Sequence, residues 1–127
     1  MHFLIVDDDT VARNVLKNHL QNMFPDCKIS EAPNGAQGLF FFFKKNPDMI
    51  FLDILMPIVD GRVFLDVLLE NYRCGKIVKK PKIILSTMLE TAQIAQMHPL
   101  GDQSLVAAVI KKPMTKNKLQ IIEELLP

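Results

Sequence analysis

The chain has almost no net charge, few cysteines and no long apolar run. Its 127 residues carry 15 Lys and Arg against 14 Asp and Glu, a formal net charge of +1. No global field therefore favours nucleic acid or an anionic surface. No apolar run approaches the roughly 18 residues that a membrane helix needs. The two cysteines, Cys27 and Cys74, share no metal-like spacing and read as reduced structural thiols. His2, His19 and His98 are scattered and make no metal motif. Met1-His2-Phe3 enters a strand directly, so no signal peptide is expected. Internal repeats, low-complexity segments and interdomain linkers are also missing. Together these absences lead to the expectation of one soluble, cytoplasmic domain over residues 1–127, with no direct nucleic-acid or membrane binding.

What the chain does have is apolar material, 49% of its residues, arranged in alternating strand-like and helix-like segments. Residues 2–6 read as a buried strand. Val11, Val15, Leu16, Leu20, Met23 and Phe24 recur at helical spacing until Pro25. Cys27 to Ala32 reads as a short strand, Asn34-Gly35 as a turn or cap, and Ala36 to Lys45 as a helix. Asp48 to Leu52 is a strand with no polar alternation, as expected when both sheet faces are covered. Val63, Phe64, Val67 and Leu68 mark one helix face. Ile83 to Ser86 is another buried strand, introduced by Pro81. Leu89 to Met97 reads as a helix ending near Pro99, and Leu105 to Ile110 as the last strand. Thr115 caps a final helix with Leu119, Ile122, Leu125 and Leu126 inward. The irregular stretches Tyr72 to Lys80 and Met97 to Ser104 read as long loops. Such alternation predicts a doubly wound α/β fold: a five-stranded parallel sheet with right-handed crossovers and helices on both faces.

Several chemically able residues fall at the carboxyl ends of these strands. Open α/β sheets place their ligands there. Asp7-Asp8-Asp9 follows the first strand, Asp53 closes the third, Ser86 ends the fourth, and Lys112 stands after the fifth, before Pro113. Singly, each has an ordinary explanation as a solvated loop acid, a locally satisfied serine or a surface lysine. On one edge together, two acidic strand ends can meet over one cation and the lysine adds a fixed positive charge. This is equipment for moving a phosphoryl group onto a carboxylate.

At this point the chain resembles the response-regulator receiver domain. The matching pieces are Val6-Asp7-Asp8-Asp9, Glu31-Ala32-Pro33-Asn34-Gly35, the run from Leu52-Asp53-Ile54-Leu55-Met56-Pro57 to Ile58-Val59-Asp60-Gly61, Pro81 to Ser86, and Lys111-Lys112-Pro113. They occur in family order along nearly the whole chain. The resemblance implies a flavodoxin-like sheet of order 2-1-3-4-5. It implies Asp53 as phosphoacceptor, a carboxylate nucleophile that becomes an aspartyl phosphate. It implies Mg²⁺ as cofactor, with Asp8, Asp53 and the Leu55 carbonyl as ligands and Asp7 acting largely through metal-bound water. Lys112 would stabilise phosphoryl charge, and Ser86 would donate a hydroxyl hydrogen bond to the attached group. Such a domain is a signalling module rather than an enzyme. Its implied partners are a sensor histidine kinase or histidine phosphotransfer protein and a downstream target or output domain; a homodimer stays open. Pro57 and Gly61 are expected to shape the turn, Asp60 to cap the next helix, Thr10 to cap the first, and Pro113 to follow a cis bond as in the family.

The chain also departs from that pattern. Val109 stands three positions before the lysine, where the family usually has an aromatic residue, so it offers no ring for an aromatic relay. Thr87 occupies a usually small position and competes with Ser86 as the active hydroxyl; the spacing from Pro81 favours Ser86. The segment from Ser86 to Lys112 and the one before Pro81 are extended. Leu55 and Met88 flank the expected path of hydrolytic water and cannot orient it, so a long-lived aspartyl phosphate is expected. In Phe40-Phe41-Phe42-Phe43, helical spacing puts Ala36, Leu39, Phe40 and Phe43 on one face, Phe42 at its flank and Phe41 nearly opposite. Those rings cover neighbouring loops or form a contact patch. Lys76, Lys79, Lys80 and Lys82 read as a solvated loop on the edge away from the acidic site.

Two rival functions stay open. A haloacid-dehalogenase-like phosphohydrolase would use Asp7 as nucleophile, since Asp7-Asp8-Asp9-Thr10 partly resembles its signature. It lacks the glycine before Thr10 and a late acidic pair, and leaves Asp53 unexplained. A receiver-shaped interaction module without phosphate regulation is the other.

Overall fold

The computed structural model describes residues 1–54, 56, 60–88 and 105–126. In chain order these form β1 (His2–Val6), α1 (Thr10–Met23), β2 (Lys28–Ala32), α2 (Gly35–Lys45), β3 (Met49–Leu52), α3 (Gly61–Arg73), β4 (Lys82–Thr87), β5 (Val106–Lys111), α4 (Lys116–Leu119) and α5 (Ile121–Leu125). The five strands make one parallel sheet of order β2-β1-β3-β4-β5, the expected flavodoxin-like arrangement. The helix expected over Leu89–Met97 and the loop over Met97–Ser104 lie outside the described residues, as do Leu55 and Pro57.

Alternate side chains of the central strands β1, β3 and β4 enter two cores, one on each face, so their middles are apolar without alternation. Leu4, Val6, Ile50, Leu52, Ile83 and Leu85 join Phe42, Phe64 and Leu68 of α2 and α3 in one core. The residues between them, Phe3, Ile5, Met49, Phe51 and Ile84, join Leu16, Leu20, Leu119 and Ile122 in a second core on the other face. Both faces are therefore covered, α2 and α3 on one side, α1, α4 and α5 on the other.

Helix starts follow from local polar chemistry. Asp9, not Thr10, caps α1: its extended backbone precedes the helix, and its carboxylate accepts from the Val11 and Ala12 amides at 2.9 and 3.4 Å. Thr10 is already the first helical residue. Asn34, Asp60 and Thr115 cap α2, α3 and α4, accepting from Gln37, Arg62 with Val63, and Lys118. The single helix expected after Thr115 divides at Gln120. There the Gln120 and Glu123 amides bond three residues back, to Asn117 and Gln120, and tighten the turn. Its inward residues are as expected, with Leu119 and Ile122 fully buried.

The α2 face that carries Ala36, Leu39, Phe40 and Phe43 turns mostly outward. Gly35, Gly38 and Phe42 are buried, while Leu39 and Phe41 pack partly buried against the same core. Phe40 is 59% exposed and Phe43 47%. Gly38 sets this phase. A Cβ there would lie 2.9 Å from Val6 Cγ2 and 3.0 Å from Phe64 Cε2, so the helix meets the sheet on its glycine side and the rings rotate away. The lysine loop is also less free than expected. Lys79 pairs with Asp48, and Lys82 donates to the Leu125 carbonyl, tying α5 to the start of β4.

Gly38→Val tests this packing. Val6 and Phe64 are wholly buried and have nowhere to move. Overpacking of about 1–3 kcal/mol is expected, read as a fall in the denaturant midpoint. An unchanged midpoint would mean that α2 does not rest on Val6.

Candidate functional site

The same alternation that divides the cores also builds the site. Phe3, Ile5, Met49, Phe51, Ile84 and Ile110 face the α1-side core. Two residues beyond the last such member of each strand stand Asp7, Asp53, Ser86 and Lys112. Each continues its strand's α1-side row past the end of the apolar core. Thr87 belongs to the row of Ile83 and Leu85 on the opposite face. Backbone bonds fix the strand ends in place. The Asp7 amide donates to Ala32 O (3.0 Å), Asp53 to Val6 O (2.9 Å) and Lys112 to Thr87 O (2.8 Å).

The side chains converge on Lys112. Its ammonium lies 2.6 Å from Asp7 Oδ2 and 3.3 Å from Asp53 Oδ2. Asp7 and Asp53 are only 5% and 6% exposed, whereas Asp8 is open to solvent. Burial pulls the Lys112 pKa down, but the hydrogen bond to Asp7 and the charges of Asp53 and Asp7 outweigh it and hold it above its ordinary value. One oxygen from each of Asp7, Asp8 and Asp53 lies within 4.8 Å of the others. Three carboxylates against one ammonium leave two formal negative charges, which suits a divalent cation. An all-oxygen donor set suits a hard one such as Mg²⁺.

Ser86, Asp7 and Lys112 line a cavity of about 300 Å³ together with Val11, Val15 and Met88. Of the two candidate hydroxyls, Ser86 thus shares this cavity with the charged groups. The Lys112–Pro113 bond is cis, as expected. Arg13 was not marked by the sequence. Its guanidinium donates to the Asp7 carbonyl at 2.5 Å and pairs with Glu31 at 3.5 Å, holding the acidic loop between α1 and the end of β2. Its position on α1 gave no warning of that tertiary contact. Val109 pairs with Leu85 and is 46% exposed on β5.

The family model of the response regulator receiver domain matches residues 3–123. The chain belongs to this family. Receiver domains of two-component systems bind Mg²⁺ at acidic residues, and Asp7, Asp8 and Asp53 are the acidic cluster among the described residues. The chain is 33% identical over 110 residues to protein-glutamate methylesterase/protein-glutamine glutaminase 2 of Methanosarcina mazei, covering 87% of this chain and 28% of that protein. It is 40% identical over 76 residues to the nitrate/nitrite response regulator NarL of Escherichia coli K12, covering 59% of this chain and 35% of that protein. The receiver thus spans about a third or less of these curated relatives. Among solved structures, response regulator TrrA of Thermotoga maritima, in complex with Mg²⁺-BeF, is 31% identical with a TM-score of 0.70, covering 98% of both chains. The N-terminal domain of a Wolinella succinogenes protein is 30% identical with a TM-score of 0.75, covering 98% of this chain and 91% of that one. Among the described residues, no helix is long and apolar enough to cross a membrane.

Gly61 ties the receiver's acidic edge to α3. A Cβ there would lie 2.5 Å from the Asp53 carbonyl oxygen and 2.7 Å from Ile54 Cα, both backbone atoms. Its amide donates to Ile54 O at 2.8 Å, so the close approach is bonded in place. Gly61→Ala should cost about 1–3 kcal/mol in thermal unfolding and shift the amide resonances of residues 53 and 54. An unaltered melt with unshifted resonances would contradict that contact.

Proposed function

We propose that this receiver takes a phosphoryl group onto Asp53 from the phosphohistidine of a sensor histidine kinase or histidine phosphotransfer protein, and that the change alters its binding to a downstream target or output domain. The observation that carries this reading is Lys112 lying between the buried carboxylates of Asp7 and Asp53 at 2.6 and 3.3 Å. Asp53 Oδ attacks phosphorus as the phosphorus–nitrogen bond breaks, and the departing imidazole nitrogen keeps the electron pair and takes up a proton. Lys112 moves from carboxylate to phosphoryl oxygen, so the charge it neutralises is replaced rather than lost. The Ser86 hydroxyl donates to the same group. Asp7, Asp8, Asp53 and the Leu55 carbonyl would hold Mg²⁺, which when bound screens the carboxylates from the incoming dianion. The cytoplasm, where such kinases present phosphohistidine, is the compartment this reading requires.

A protein donor fits the surface beside the site. Val11 of α1 is 70% exposed, Val15 40% and Met88 67%, and all three border the cavity that Asp7, Ser86 and Lys112 line. An apolar rim around a charged centre suits a helical partner that presents its phosphohistidine into the groove.

Asp53→Asn should fold and gain no mass from acetyl phosphate with Mg²⁺, and Asp8→Ala should lose Mg²⁺ binding with little change in melting. Labelling of Asp53→Asn on Asp7 instead would favour the phosphohydrolase reading. Undiminished Mg²⁺ affinity in Asp8→Ala would overturn the metal assignment.

The aspartyl phosphate should be long-lived. In-line hydrolysis needs a water placed opposite the phosphorus–oxygen bond. Met88 beside Ser86 carries only a thioether, which cannot orient that water strongly. Met88→Glu supplies an acceptor on an exposed side chain. After donor removal, its phosphoryl group should decay several-fold faster than that of the wild type by intact mass. Equal or slower decay would dismiss this account of lifetime.

A further inference from the structure

The edge of the sheet opposite the acidic site carries a second surface that phosphoryl chemistry leaves unused. Phe43 and Val78 line a groove of about 430 Å³ with Asn46, Pro47, Lys76 and Lys79. The groove lies between the α2–β3 and α3–β4 connections, at the amino ends of the strands. Phe43 is 47% exposed, Val78 92%, and Phe40, one helical turn earlier, 59%. Phe43 is held from below by an edge-to-face contact with buried Phe42, ring centroids 5.2 Å apart. That contact orients the exposed ring as an apolar anchor at the groove.

Basic residues adjoin it. Lys76 of the lining, and Lys44 and Lys45 in the last turn of α2, make no ion pair with the described carboxylates, and Lys44 lies over the Phe40 ring at 5.3 Å to its centroid. The nearby carboxylate, Asp48, is already occupied by Lys79 and by the His2 amide. So Lys76 in the groove lining, with Lys44 and Lys45 at the adjoining end of α2, carries positive charge that no described carboxylate pairs with, in a chain whose overall charge is near zero.

We propose that this groove is a docking site for an acidic protein segment carrying one large apolar side chain. The apolar residue enters between Phe43 and Val78, and flanking carboxylates meet Lys44, Lys45 and Lys76. A concave groove of this volume accepts one or two side chains, which favours a peptide over the flat surface of a bilayer. Because it lies at the other end of the strands from Asp53, it binds whether or not Asp53 is phosphorylated.

The probe is a fluorescein-labelled hexapeptide, Asp-Glu-Phe-Leu-Asp-Glu, titrated into the full chain at low salt with amide resonances recorded. Shifts should centre on residues 43–46 and 76–79, and affinity should fall as salt rises. The Asn/Gln version of the peptide should bind at least about tenfold more weakly, and so should Val78→Asp and Lys76→Glu chains. Both substitutions lie on exposed positions, so they keep the fold, checked by their melts. Asp53→Asn should bind the probe as the wild type does, which separates this surface from the phosphorylation reading. Shifts centred elsewhere, equal binding of the neutral peptide, or binding to phosphatidylserine vesicles but not to the peptide would each overturn the proposal.

Discussion

The rest of the site depends on one ammonium group placed between two buried carboxylates. Asp7 and Asp53 are almost without solvent, and burying either as an unpaired anion would cost several kcal/mol. Lys112 offsets that cost for the pair but cannot cancel it, because one positive charge faces two. Asp8 adds a third carboxylate at the rim. The fold thus holds a deliberate shortage of positive charge at the carboxyl edge of its sheet. Such a shortage makes an edge receptive to a divalent cation, and a cation in turn makes it receptive to a phosphoryl anion. Had the chain supplied a second lysine there, the site would be more stable and chemically idle.

That arrangement was legible because it is written in a period of two. Once His2–Val6, Met49–Leu52, Lys82–Thr87 and Val106–Lys111 are strands, counting fixes the members of one row, except across the irregularity at the start of β5, where Val106 faces the other core from Ala108 and Ile110. Asp7, Asp53, Ser86 and Lys112 then fall on one face without any reference to a relative. The same count puts the neighbouring hydroxyls on opposite faces, since Thr87 belongs to the row of Leu85. Strand order was legible only through the resemblance to the receiver family; right-handed crossovers and covered faces narrow the arrangements of five parallel strands without choosing one.

What the sequence did not disclose are contacts whose cause is tertiary. Helical spacing groups the rings of α2 but does not say which side meets the sheet. The smallest residue decides that, since Gly38 lets the helix axis come down onto Val6 and Phe64. A hydrophobic count cannot see that, because glycine contributes nothing to it. Arg13 failed to register for a related reason: its work is done on a backbone carbonyl and on Glu31, neither of which is its neighbour in sequence. Thr10 and Asp9 are both good caps, and only the position of the first helical residue separates them.

The glycine that sets the phase of α2 has a consequence for the surface. Turning Gly38 inward turns Phe40 and Phe43 outward, toward the end of the sheet away from Asp53. Those rings are then left among lysines rather than buried in the core. Close helix packing near the acidic edge and aromatic exposure at the other end thus have one cause. Phe40 and Phe43 belong to neither core, whereas Phe42, Leu39 and Phe41 pack in or against the one that α2 covers. The two ends of the sheet can therefore change separately: the carboxyl end is constrained by charge balance and by the contact of Gly38 with Val6, while the amino end carries the exposed ring of Phe43.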